Sequence, residues 1–92
     1  MQRGNVMQQL TEKADLPMEP VPGLPVVEIA GDNRVLIENH CGMSECGCDT
    51  ILVKVRFGKI RVYGQKLELA NMSAHQLIIR GKICGVELMR GG

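Results

Sequence analysis

Four side chains that can bind a metal or take part in redox chemistry lie within nine residues: His40, Cys41, Cys46 and Cys48. Zinc takes four such ligands in a tetrahedron, so the cluster is first a candidate metal site. Its spacing is unfavourable, because adjacent strand residues point to opposite faces and this separates His40 from Cys41. Cys46 and Cys48 have one residue between them, which is narrower than a zinc knuckle. With Cys84 as a distant further ligand, a metal- or thiol-dependent sensor stays an alternative.

Redox and acid–base catalysis have less support. A redox pair needs the C-x-x-C spacing at the start of a helix, and no helical pattern follows these cysteines. Glu38, His40 and Glu45 could form an acid–base group, but solvent-facing polar residues on strands explain them as well. No serine lies in a G-x-S-x-G setting. We therefore predict no catalytic residue, no cofactor and no enzymatic activity.

Each cysteine also has an ordinary structural interpretation, since free cysteine behaves as a small hydrophobic residue. Cys84 shares strand parity with Val86 and Leu88, which predicts that it lies in the core. Cys46 fits a weak strand. Cys41 and Cys48 flank glycines and are expected to be more exposed.

Composition excludes several classes of protein. The 92 residues suffice for one small domain, and the net charge of +1 gives no bulk attraction to nucleic acid or anionic membrane. Aromatic residues are limited to Phe57 and Tyr63, whereas single-stranded nucleic-acid binders stack bases on aromatics. No apolar run could span a membrane, and the first residues lack the apolar region of a secretory signal. We expect a cytoplasmic protein with reduced cysteines.

The chain divides into three parts. Residues 1–16 are polar and predict a short helix or tail, which Pro17 would end. Residues 17–25 hold all four prolines and form an extended linker. Residues 26–89 form the β domain.

The β domain is predicted from short apolar alternations separated by turn residues. About eight short strands are expected, with tight turns at Gly58-Lys59, Gly64-Gln65 and Gly81-Lys82. No helical period supports a parallel crossover, so the fold class is all-β: a small antiparallel β-sandwich or coiled meander. A short β-solenoid is the alternative. The expected strands cover residues 26–30, 34–39, 42–46, 51–57, 60–64, 66–70, 76–80 and 83–89.

Three stretches carry a resemblance to a known family: LPVVEIAGDNRVLIENHCG (24–42), ILVKVRFGKIRVYGQKLEL (51–69) and QLIIRGKICGVEL (76–88). In this order they resemble the YabP/YqfC family of sporulation proteins, and the short polar start followed by Leu-Pro is closer to the YqfC branch. The most specific piece is the strand-to-strand step formed by Ile37, Glu38, Asn39, His40 and Gly42. The cysteines depart from the family pattern, which argues against a family-wide metal role.

The resemblance implies a non-enzymatic protein that acts in the mother cell during endospore formation in Firmicutes. It implies a membrane-associated sporulation protein of the YqfD type as partner, which could recruit this chain to the membrane around the forespore without a membrane span of its own. An interaction module is therefore our first hypothesis, and a homo-oligomer stays open. A basic β-module that binds nucleic acid is a further alternative, although glutamates are interleaved with its cations: Lys54, Arg56, Lys59, Arg61, Lys66, Arg80 and Lys82.

Overall fold

A computed structural model of the protein describes residues 23–91, and these form six strands and no helix. The expected helix over 1–16 and most of the linker over 17–25 lie outside the described residues. Every neighbouring pair is antiparallel, in the order β1-β2-β6-β5-β4-β3. The strands are β1 (Val26–Ala30), β2 (Arg34–Glu38), β3 (Met43–Cys46), β4 (Thr50–Val55), β5 (Gly58–Met72) and β6 (Gln76–Arg90).

Six strands form instead of about eight because two predicted turns lie inside long strands. Gly64-Gln65 falls within β5 and Gly81-Lys82 within β6, each of which has 15 residues. Three register shifts interrupt their pairing, between Tyr63 and Gly64, Gln65 and Glu68, and Leu69 and Asn71. Such bulges bend a strand without ending it. Glycine is common both in bulges and in turns, so the sequence alone does not distinguish the two.

The bend divides the single sheet into two parts. Half-sheet I contains β1, β2, residues 76–80 of β6 and residues 68–72 of β5. Half-sheet II contains β3, β4, residues 58–65 of β5 and residues 82–90 of β6. Strands that pass through a bulged corner into a second layer are typical of orthogonal β packing.

The core lies between the two half-sheets, since side chains from both belong to one buried cluster. Alternation puts one face of each strand inward, as the sequence predicts for residues 51–55 and 76–80. The all-β prediction is confirmed; the solenoid alternative, which needs parallel rungs, is not the arrangement formed. The buried residues are Val35, Ile37, Ile51, Val53, Val55, Ile60, Val62, Leu67, Leu77 and Ile79.

Cys84 is exposed, so its predicted place in the core is wrong. Tyr63 pairs with Gly85 and Gly64 with Ile83, which leaves Cys84 as the extra residue of a bulge. The alternation shifts there, and Ile83, instead of Cys84, packs against the core. Cys46 is also exposed, as are Cys41 and Cys48.

The hairpin between β4 and β5 is present, but its loop is two residues earlier than predicted. Val55 pairs with Gly58, so Arg56 and Phe57 make the turn. A Cβ atom on Gly58 would collide with the backbone oxygen of Met89 in β6. Glycine is therefore needed here for close approach of two backbones.

A substitution at Gly81 tests the bend. Gly81 has a φ of 138°, and an added Cβ would lie 2.5 Å from the backbone oxygen of Lys66. Backbone strain and overpacking each amount to about 1–3 kcal/mol, so we expect Gly81→Ala to lower the free energy of unfolding by about 3 kcal/mol. Denaturant unfolding measures this loss.

Gly31→Ala is the control, since Gly31 has a φ of 58° and open space around it. It should lose only about 1 kcal/mol. Equal losses in the two variants would show that no close backbone contact exists at Gly81.

Candidate functional site

The segment with the sharpest sequence signature is the crossover between the half-sheets. β2 ends at Glu38 in half-sheet I and β3 begins at Met43 in half-sheet II, so residues 39–42 make the passage. Ile37, two residues before this passage, is fully buried and pairs with Leu77 of β6. We call residues 37–42 the crossover segment.

Asn39 turns the chain out of β2. Its φ is 63°, in the left-handed region that asparagine tolerates better than most side chains. Its backbone N–H donates to the carbonyl oxygen of His75 at 2.6 Å. Its side-chain Nδ2 donates to the carbonyl oxygen of Leu24 at 2.9 Å, just before β1. One residue therefore connects the end of β2 to the loop between β5 and β6 and to the segment just before β1.

His40 joins two backbone groups through its ring. Nδ1 accepts from the backbone N–H of Gly42 at 2.9 Å, and Nε2 lies 2.8 Å from the carbonyl oxygen of Ser73. A backbone N–H can only donate and a carbonyl oxygen can only accept, which assigns the proton to Nε2. The neutral imidazole therefore connects the crossover segment to the β5–β6 loop, with both nitrogens occupied.

Cys41 and Gly42 attach the segment to β4 before β3 begins. The N–H of Cys41 donates to the oxygen of Lys54 at 2.7 Å, and the N–H of Lys54 donates to the oxygen of Gly42 at 2.8 Å. Gly42 has a φ of 116°, which favours glycine. Backbone pairing with half-sheet II therefore begins at Cys41, two residues after the backbone of Asn39 bonds to the loop between β5 and β6.

The loop between β5 and β6, residues 73–75, is the other side of the site, and no motif in the sequence identified it. Ser73 Oγ accepts from the N–H groups of His75 and Gln76, at 3.4 and 3.2 Å. Gln76 Nε2 donates to Glu38 Oε2 at 3.3 Å. These bonds hold the loop in place, and its carbonyl oxygens accept hydrogen bonds from the Asn39 N–H and the His40 ring. A serine that precedes a strand by a few residues is a signal for such a turn, but it does not identify the partner.

The four candidate metal ligands do not converge. Cys41 lies opposite Lys54 and Cys46 opposite Ile51, three residues apart along β4, or about 10 Å. Within residues 23–91, no three histidine, cysteine or acidic side chains are grouped to hold a metal ion. The geometry therefore does not favour the zinc alternative.

Glu38, Asn39, Ser73, His75 and Gln76 line a shallow depression of about 370 Å³ beside the crossover segment. Its polar groups bond mainly to one another and to the backbone of the same loop. We call the hydrogen bonds of Asn39 and His40 to the neighbouring backbone the clasp. They satisfy backbone donors and acceptors at a corner where strand pairing does not supply partners.

Fold and clasp together define a small all-β domain whose strands are bent into two facing half-sheets. The chain belongs to the YabP family, whose model matches residues 25–92. It matches no curated protein and no solved structure. Membership in the family indicates a sporulation-related protein. Within residues 23–91, no helix has the length and apolar character needed to cross a membrane.

Removal of the His40 ring tests the clasp. His40→Ala leaves the Gly42 N–H and the Ser73 carbonyl without their partner, and we expect a loss of about 1–2 kcal/mol in the free energy of unfolding. His75→Ala is the matched control: it removes the other, exposed imidazole but keeps the backbone bond to Asn39, so its effect should stay within about 0.5 kcal/mol. Similar losses in both would contradict the clasp.

Metal analysis tests the separation of the candidate ligands. Protein purified without chelator should contain no stoichiometric zinc, and its unfolding midpoint should not change with EDTA, because a structural zinc contributes directly to folding. One zinc per chain, with a lower midpoint after chelation, would contradict the geometry.

Proposed function

We propose that the protein is a non-enzymatic interaction module that acts in the mother cell during endospore formation. It would bind a membrane-associated sporulation protein of the YqfD type by accepting an extended segment on the free edge of β1. Two observations support the proposal: membership in the YabP family, and an edge strand that lacks the usual protection within the part of the chain that the structure describes.

The protection of the two outermost strands differs. β3 has four residues and a register shift between Met43 and Glu45, which disturbs a pairing edge. β1 pairs residue by residue with β2 from Val26 to Ala30, with no shift. It contains no proline or lysine, the residues that commonly block edge pairing. The free edge of β1 is therefore the better acceptor for a partner strand.

The side chains of β1 indicate what a partner segment should contain. Ile29 pairs with Val35, a core residue, yet is 56% exposed because β1 is the last strand on that side. Glu28 points to the opposite face and is exposed. An added strand would cover Ile29 with an apolar side chain and offer a basic or polar one to Glu28. A second copy of β1 offers an apolar residue but a second glutamate, which is less favourable when the two lie opposite.

Ile29→Lys tests the edge. A lysine there keeps its stem on the sheet but places a charge where the partner's apolar side chain would lie. Co-expressed with the YqfD-type protein, the tagged wild-type chain should retain that protein on purification, and Ile29→Lys should lose at least about 90% of it. Circular dichroism and thermal unfolding check that the variant is folded.

Met72→Lys is the matched control, since Met72 is 44% exposed and lies at the end of β5. It should retain the partner as the wild type does. Loss of binding in both variants, or in neither, would exclude β1 as the acceptor. If the wild-type chain retains no YqfD-type protein, the proposed partner is wrong.

A further inference from the structure

One end of half-sheet II concentrates positive charge and exposed apolar side chains. There the β4–β5 turn meets the end of β6: the N–H of Gly91 donates to the oxygen of Phe57 at 2.8 Å. The Arg90 guanidinium lies 5.4 Å from the centre of the Phe57 ring. We define the basic tip as Lys54, Phe57, Lys59, Leu88, Met89 and Arg90.

Within residues 23–91, the cations of the basic tip have no acidic partners. Lys54 and Lys59 lie directly opposite each other on neighbouring strands, an arrangement that is unfavourable in isolation. Neither lysine forms an ion pair within the described part of the chain, and neither does Arg90. Arg56, in the same turn, has a contact of its own and is not counted.

Acidic residues lie further in along the sheet. The sequence has no Asp or Glu between Asp49 and Glu68. In the next row of half-sheet II, Glu45 lies opposite Leu52. In the same row, Glu87 Oε1 lies 2.9 Å from Arg61 Nε, an ion pair whose geometry is not that of a hydrogen bond. Within the described residues, half-sheet II therefore carries its acidic side chains further in and the cations without an ion pair, Lys54, Lys59 and Arg90, at the basic tip.

Apolar side chains accompany these cations. Met89 continues the row of Lys54 and Lys59 across the sheet and is 38% exposed. Leu88, on the other face of β6, is 60% exposed. A surface that only bound phosphates would gain nothing from exposed Leu and Met. At the boundary of headgroups and acyl chains, both kinds of side chain find a favourable environment.

A depression of about 260 Å³ at this end of the sheet is lined by Gly58, Lys59, Met89, Arg90 and Gly91. Strand alternation places Lys59 with Met89 on one face of the sheet and Arg90 with Leu88 on the other, so each face of the basic tip combines a cation with an apolar side chain. Because Met89 also borders this depression, it would supply an apolar contact beside a bound phosphate group.

We propose that the basic tip binds the surface of an anionic phospholipid membrane. Lys59 and Arg90 contact lipid phosphates from the two faces of the tip, and Leu88 and Met89 enter the interfacial layer without spanning it. This contact is separate from the proposed pairing at β1 and needs no protein partner. Each cation near an anionic surface raises the affinity about fivefold at moderate salt.

Vesicle sedimentation tests the proposal with the full chain alone. Vesicles containing phosphatidylglycerol should bind the protein and release it as salt rises, whereas pure phosphatidylcholine vesicles should bind little. The double variant Lys59→Glu, Arg90→Glu should bind at least about 25-fold more weakly, since two contributions are lost. Lys66→Glu, Lys82→Glu is the matched control: both cations are exposed and lie at the bend, and the net charge changes equally.

Two further variants separate the possible outcomes. Leu88→Ser should weaken vesicle binding without changing its salt dependence, and Ile29→Lys should bind vesicles like the wild type. No binding to anionic vesicles, or an equal loss in both charge-reversal variants, would overturn the proposal. Tighter binding to DNA or RNA that is unaffected by Leu88→Ser would assign the basic tip to nucleic acid instead.

Discussion

The fold depends on one passage of the chain, from β2 in half-sheet I to β3 in half-sheet II within residues 39–42. A short passage at a corner leaves backbone groups without strand partners, and buried or half-buried groups of this kind are costly unless they are bonded. The His40 ring solves this problem by joining the Gly42 N–H to the Ser73 carbonyl. Asn39 supplies the left-handed turn that starts the passage. This connection and the bulged strands β5 and β6 together join the two half-sheets.

Local patterning predicted much of this fold. Alternation identified the buried residues of β4 and the start of β6, whereas the turn between β4 and β5 was predicted two residues too late. It could not distinguish a bulge from a turn, because glycine serves both, so two long strands were predicted as four short ones. The same bulge moved Cys84 out of the core. The crossover segment was found as a motif, but its role was not, since His40 bonds to Ser73, 33 residues away.

The clasp and the two proposed binding surfaces use different parts of the domain. The polar groups of the clasp form hydrogen bonds within the domain, so the crossover segment stabilises the fold. The free edge of β1 and the basic tip lie on different half-sheets, the first offering backbone pairing and the second charge with apolar contact. Such a protein could contact the proposed partner and a membrane at the same time, which fits the proposal that this partner is itself membrane-associated.

Native-state hydrogen exchange of the backbone N–H groups of Asn39, Cys41 and Gly42 tests the central claim most directly. If the crossover segment holds the half-sheets together, these protons exchange only when the whole domain unfolds, with the same free energy as the N–H groups of the central strands. Exchange of the three protons through local opening, at a free energy well below that of the central strands, would contradict the account.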